Sequence, residues 1–128
     1  MSQSLTTAGV VRLATVTQER ASRLTTPSSL FGWWHERLFV RAIDQFAGAL
    51  RQLPQEEVES ASVDQLRDIR ELVDAIVNHI ETFIARHGNS SLKRVEQDRH
   101  LVKRIYELRA TFEKLARRVK LDTAHRDN

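Results

Sequence analysis

Apolar residues recur at alternating steps of three and four along three stretches of this 128-residue chain. This spacing keeps the side chains on one face of an α-helix, whereas a half-buried strand needs apolar residues at every second position. We call each such row of apolar residues a seam. The three seams are Phe39, Ile43, Phe46, Leu50 and Leu53; Leu66, Ile69, Val73, Ile76, Ile80 and Phe83; and Leu101, Ile105, Leu108, Phe112, Leu115 and Val119. The pattern predicts an all-α protein with three long amphipathic helices.

The first strong helix is predicted over residues 30–53, because Pro54 cannot continue the hydrogen-bond ladder of a helix. A weaker apolar stripe ahead of it predicts a short N-terminal helix over residues 5–24, where many threonines lower the helix propensity. Residues 55–61 are acidic, and we interpret them as a linker or a short helical turn.

The second strong helix is predicted over residues 62–87. Ser62 followed three residues later by Gln65 is a capping-box pattern, which opens a helix. Gly88 is typical of the position just after a helix ends. The third strong helix then covers residues 92–120 and is the longest of the three.

Short connections make neighbouring helices antiparallel, so we expect an up-down bundle with coiled-coil-like packing between the seams. A chain of this length forms one domain. The predicted organisation is a tail or short helix over 1–28, the bundle over 29–121 and a polar tail over 122–128.

Charge is divided by sign between the last two strong helices. Residues 54–84 contain eight acidic and two basic residues, a net charge of −6, and residues 85–128 contain twelve basic and six acidic residues, a net charge of +6. If these helices pack side by side, much of the basic surface faces an acidic neighbour. The net charge of +3 and the isoelectric point near 9.8 therefore argue only weakly for a polyanionic partner.

The sequence lacks the residues that several kinds of site require. The sequence has no cysteine, which removes disulfides, thiolate nucleophiles and cysteine-based metal sites. None of the five histidines belongs to the Glu-x-x-His pair of di-metal bundles, and no phosphate-binding loop or nucleophile elbow is present. No apolar run reaches the ~20 residues that cross a bilayer. We therefore expect a protein that is not an enzyme, with no catalytic residue, metal, cofactor or membrane span.

The absence of cysteine fits a reducing compartment, and we expect a cytoplasmic protein. An organelle-targeting role for residues 1–28 is the less favoured alternative. It rests on their serines and threonines and on Arg12, Arg20 and Arg23, against the single acid Glu19.

Trp33, Trp34 and His35 are the candidate partner-binding residues. Adjacent tryptophans point about 100° apart on a helix, so only a wide interface can bury both of them. Tryptophan is also enriched at the centres of protein–protein interfaces. Packing of these residues within the bundle core is the alternative.

The first turns of the third helix are strongly basic and form the candidate nucleic-acid contact. Its residues are Arg94, Arg99, Lys103 and Arg104. Because Tyr106 is the one aromatic residue nearby, we expect any binding of nucleic acid to be weak.

Arg94 and His100 have the Arg-x(4–6)-His spacing of the HEPN family of helical ribonucleases, which the chain resembles at these two positions. The resemblance implies a histidine base and an arginine that binds phosphate. Val95 departs from the polar residue that the family has beside the arginine. A HEPN-like ribonuclease is therefore our second alternative.

The function that we expect is a non-catalytic helical adaptor, regulatory or assembly protein that acts through protein–protein contact and forms a homodimer. Each strong helix carries apolar residues beside its seam, and a three-helix core leaves them partly wet. These residues are Val40, Ala47, Leu72, Val77, Ile84, Val95 and Val102. The competing explanation is that residues 5–24 fold back as a fourth helix and cover these residues within one chain.

Overall fold

Five α-helices make up most of the chain that the computed structural model describes, namely residues 5–26, 32–88 and 90–126. There is no strand within these ranges. The helices are α1 (Thr7–Leu24), α2 (Gly32–Gln52), α3 (Gln55–Ser60), α4 (Val63–Ala85) and α5 (Leu92–Arg126). The predicted all-α helical bundle is confirmed. No helix in the described ranges is long and apolar enough to span a membrane.

Four long helices surround one core. α1 packs against α2 and α4, and α5 packs against the same two helices from the other side. α2 and α4 consequently occupy diagonal corners of the bundle. The short helix α3 joins these two corners across one end, where it also contacts α5.

Contacts between side chains give the directions of the helices. His87, just after α4, lies 2.8 Å from Asp98 near the start of α5. Arg70, in the first half of α4, donates to Glu113 in the later half of α5 at 2.5 Å. α4 and α5 therefore run antiparallel. α2 runs parallel to α5, since Glu36 pairs with Arg94 near both N-termini and Asp44 pairs with Arg104 further along both helices.

The three predicted seams lie in the core. Every residue of the first seam is buried, and the other two seams are buried except for residues at their ends. The residues that remain partly exposed are Leu66, Phe83 and Val119. Burial of one continuous apolar face per helix is what holds amphipathic helices together in water.

The N-terminal segment supplies the fourth helix. Val10, Ala14 and Ala21 of α1 are completely buried. The backbone N–H of Thr7 donates to a carboxylate oxygen of Glu57 in α3 at 3.1 Å, which places a negative charge at the positive end of α1. Although its threonines weaken α1 as an isolated helix, tertiary packing compensates.

Most of the apolar residues beside the seams also pack within the single chain. Ala47 and Val77 are buried within the single chain, and Val40, Leu72 and Ile84 pack partly buried against the core. These five residues are therefore covered at least in part within the single chain, although Val40 also lines a groove between α2 and α5. Val95 remains 42% exposed.

The helix boundaries follow local sequence signals, with one extension. The capping box of Ser62 and Gln65 is present, and Gly88 adopts a positive φ of 52° after α4. α5 continues to Arg126, past the predicted end at Lys120. The extension contains neither proline nor glycine, and a polar composition alone does not end a helix.

We predict that α1 is an integral part of the core rather than an accessory. Val10→Ala should lower the free energy of unfolding by about 2 kcal/mol, because it leaves a cavity at a fully buried site. Val16→Ala is the matched control, since Val16 lies on the same helix and is 44% exposed, and it should change stability by less than about 0.5 kcal/mol. Urea unfolding followed by circular dichroism measures both, and equal effects would contradict the packing of α1.

Candidate interaction surface

An ion pair joins the N-terminal turns of α2 and α5. Arg94 donates from its two terminal nitrogens to the two carboxylate oxygens of Glu36, at 2.9 Å and 2.7 Å. Its Nε donates to Asp98 at 2.8 Å. The three side chains are only 20%, 17% and 12% exposed. Bidentate geometry with little solvent makes this pair far stronger than an ordinary surface ion pair.

The same cluster reaches the end of α4. Asp98 also pairs with His87, and the guanidinium of Arg94 lies 5.4 Å from the centre of the Phe83 ring. Hydrogen bonds to Glu36 and Asp98 raise the pKa of Arg94 above its usual value against the opposing effect of burial. Arg94 is thus permanently charged and fixes the ends of three helices relative to each other.

One turn before Glu36, the two tryptophans point into solvent. Trp33 is 61% exposed and Trp34 is 49% exposed, with their rings edge to face at 5.9 Å. Arg37 and Arg41 follow on the next two turns of α2, and both are exposed without a hydrogen-bond or ion-pair partner among the described residues. We call Trp33, Trp34, Arg37 and Arg41 the Trp–Arg face.

The Trp–Arg face borders an open groove of about 1030 Å³ between α2 and α5. Apolar atoms of Val40 and Leu101 contribute to its lining, and His100 lies on the α5 side. Arg104 crosses the groove and donates to Asp44 at 3.2 Å. The surface therefore combines exposed aromatic area with positive charge that no carboxylate of the described chain neutralises.

The predicted partner-binding residues divide between the surface and the interior. Trp33 and Trp34 lie on the surface as expected, whereas His35 is only partly exposed and its Nδ1 is buried without a hydrogen-bond partner. Successive helical residues are turned by about 100°, so three consecutive side chains cannot share one face. The structure does not place His35 with the tryptophans.

Two of the four predicted nucleic-acid contacts are already engaged in ion pairs. Arg94 is engaged by Glu36 and Asp98, and Arg104 is engaged by Asp44. Arg99 and Lys103 are exposed and have no partner in the described part of the chain. The structure thus leaves two of the four cations available.

The two residues of the HEPN-like pair lie in different surroundings. The guanidinium of Arg94 is occupied by two carboxylates, while His100 is exposed on the side of the groove. Among the described residues, no group of three or more histidine, aspartate or glutamate side chains is arranged to hold a metal ion.

The sequence reasoning missed Glu36 and the free arginines of α2. The positions of Arg37 and Arg41, four and eight residues after Trp33, were a usable signal because they fall on the same helical face. Comparisons with protein-family models, curated proteins and solved structures find no match to this chain.

We predict strong coupling within the buried pair. A double-mutant cycle of Glu36→Gln and Arg94→Met should give a coupling energy above about 1.5 kcal/mol, because Arg94→Met leaves the poorly solvated carboxylate of Glu36 without its cation. The exposed pair of Asp64 and Arg67, with side chains 83% and 60% exposed, is the control and should couple by less than about 0.5 kcal/mol. Equal coupling in the two cycles would show that the cluster does not fix the helix ends.

Proposed function

We propose that the chain is a non-catalytic helical adaptor or assembly protein that acts by protein–protein contact and associates with itself. The observation that carries this proposal is the Trp–Arg face. Two tryptophans stay in solvent although the chain has a complete apolar core that α1 closes. Large apolar side chains grouped on a surface mark interaction sites.

The composition of the face supports a protein partner. Tryptophan and arginine are the residues most enriched among interface hot spots, since both bury large area and retain a hydrogen-bond donor. The ion cluster beneath them holds α2 in place, so little conformational entropy is lost on binding. The homodimer is the simplest form of the proposed self-association.

We also propose a cytoplasmic location. The lack of cysteine supports it. The integration of α1 into the core argues against a removable targeting segment, because cleavage after residue 28 would take away the buried face of Val10, Ala14 and Ala21.

The proposal predicts that the tryptophans control association. Trp33→Ser combined with Trp34→Ser should weaken self-association at least about tenfold, because loss of one hot-spot contact alone removes about 2 kcal/mol. Tyr106→Ser is the matched control, since Tyr106 is as exposed as Trp34 but lies on α5 away from the groove. Sedimentation equilibrium over a range of concentrations measures the association constant of each variant.

At a protein concentration of about 100 µM, self-association with a Kd of ~10⁻⁴ M is detectable. A wild-type protein that is still monomeric at this concentration would remove self-association from the proposal. Equal weakening by Tyr106→Ser would show that the tryptophans have no special role.

Nucleic-acid binding through α5 is the second candidate, supported by the exposed and unpartnered Arg99 and Lys103. We predict weak binding. If Arg99 and Lys103 are the contacts, the logarithm of the affinity should fall against the logarithm of the salt concentration with a slope of about −2, because two cations neutralise two phosphates. Fluorescence anisotropy with labelled duplex DNA or RNA at several salt concentrations measures it. Sub-micromolar, sequence-selective binding at physiological salt would reverse the order of the two candidates.

A further inference from the structure

α4 carries a surface of opposite charge to the Trp–Arg face. Asp68 and Glu71 lie three residues apart on one side of α4. Both are exposed, and neither has a hydrogen-bond or ion-pair partner in the described ranges. We call these two residues the acidic face. Asp64 and Asp74 of the same helix are already paired with Arg67 and Arg109. The acidic face is thus negative charge that the described fold leaves uncompensated.

The two charged faces lie on different sides of the molecule. The Trp–Arg face belongs to α2 and the acidic face to α4, and these helices occupy diagonal corners because α1 and α5 pack between them. The unpartnered charges therefore cannot neutralise each other within one chain. They can do so between two copies.

We propose that copies of this chain associate head to tail, with the Trp–Arg face of one copy docked on the acidic face of the next. This inference rests on the proposed self-association and names its two surfaces. Arg37 and Arg41 supply charge-assisted hydrogen bonds to the free carboxylates. The indoles of Trp33 and Trp34 pack against the aliphatic stems of the facing side chains and can donate their N–H groups to carboxylate oxygens.

The placement of the faces determines the kind of assembly. A closed two-fold dimer requires one patch that contacts its own copy, and faces on diagonal corners cannot both belong to such a patch. A head-to-tail contact leaves one unused Trp–Arg face and one unused acidic face at the ends of every complex. The homodimer is then the first step of an open series, which ends as a ring or continues as a filament.

Charge reversal on either face tests the inference. Arg37→Glu with Arg41→Glu makes both faces negative, and Asp68→Lys with Glu71→Lys makes both positive. Each variant alone should lose association at least about tenfold, because like charges then face each other. Mixed in equal amounts, the two variants should associate again, since each offers the face that the other lacks. Lys114→Glu with Arg117→Glu is the control and should associate like the wild type, because these exposed residues of α5 belong to neither face.

Sedimentation velocity gives the readout, with circular dichroism to show that each variant keeps its helical content and melting temperature. The wild-type mass should rise with concentration beyond twice the 14.8 kDa of one chain. A mass that stops at two chains overturns the head-to-tail contact and leaves the proposed self-association intact. If the acidic-face variant associates like the wild type, the head-to-tail contact is likewise overturned and the proposed self-association remains. A strictly monomeric wild type overturns the inference together with the self-association on which it rests.

Discussion

The buried contact of Arg94 with Glu36 and Asp98 is the interaction on which the candidate site depends. The apolar seams bring the helices together, but the hydrophobic effect is nondirectional and does not by itself set the rotation and axial position of a helix end. A guanidinium that meets two carboxylates in fixed geometry sets the N-terminal turn of α2 against α5. The orientation of Trp33 and Trp34, one turn earlier, follows from that constraint.

Ion pairs of the same kind compensate part of the positive charge of α5. α5 lies between α2 and α4, and three of its arginines pair with carboxylates on these helices. Arg94 pairs with Glu36, Arg104 with Asp44 and Arg109 with Asp74. In addition, Glu113 of α5 pairs with Arg70 of α4. Exposed charges without a partner in the described ranges remain on α5, among them Arg99 and Lys103, and also on α2 and α4. The surfaces available to a partner are therefore defined by which charges the fold leaves unpaired, and net charge alone does not show this.

Much of the fold could be predicted from the sequence because helical periodicity is a local property. The seams, Pro54 and the capping box of Ser62 each act within a few residues, and all of them keep their predicted roles. The contribution of α1 was underestimated, because its burial comes from contacts with α2 and α4 that no local pattern reports.

The candidate site was predictable only in part, for the same reason. Two exposed tryptophans follow from their angular separation on a helix, but the inward orientation of His35 depends on packing. The pairing of Arg94 with Glu36 joins residues 58 positions apart, and a sequence offers several arginines for each such carboxylate. Which arginines remain free, and so which surface can bind, is decided by the tertiary structure.

Trp33 and Trp34 are the two tryptophans of the chain, so the intrinsic fluorescence of the protein reports on the proposed interface directly. The most direct measurement is the emission maximum and acrylamide quenching of the full chain at protein concentrations from about 1 to about 100 µM. This range covers micromolar dissociation constants. If the Trp–Arg face is an interface, the emission should shift to shorter wavelength and quenching should fall as the concentration rises. Emission and quenching that stay constant over this range, while the protein associates, would show that the tryptophans lie outside the contact and would contradict the account.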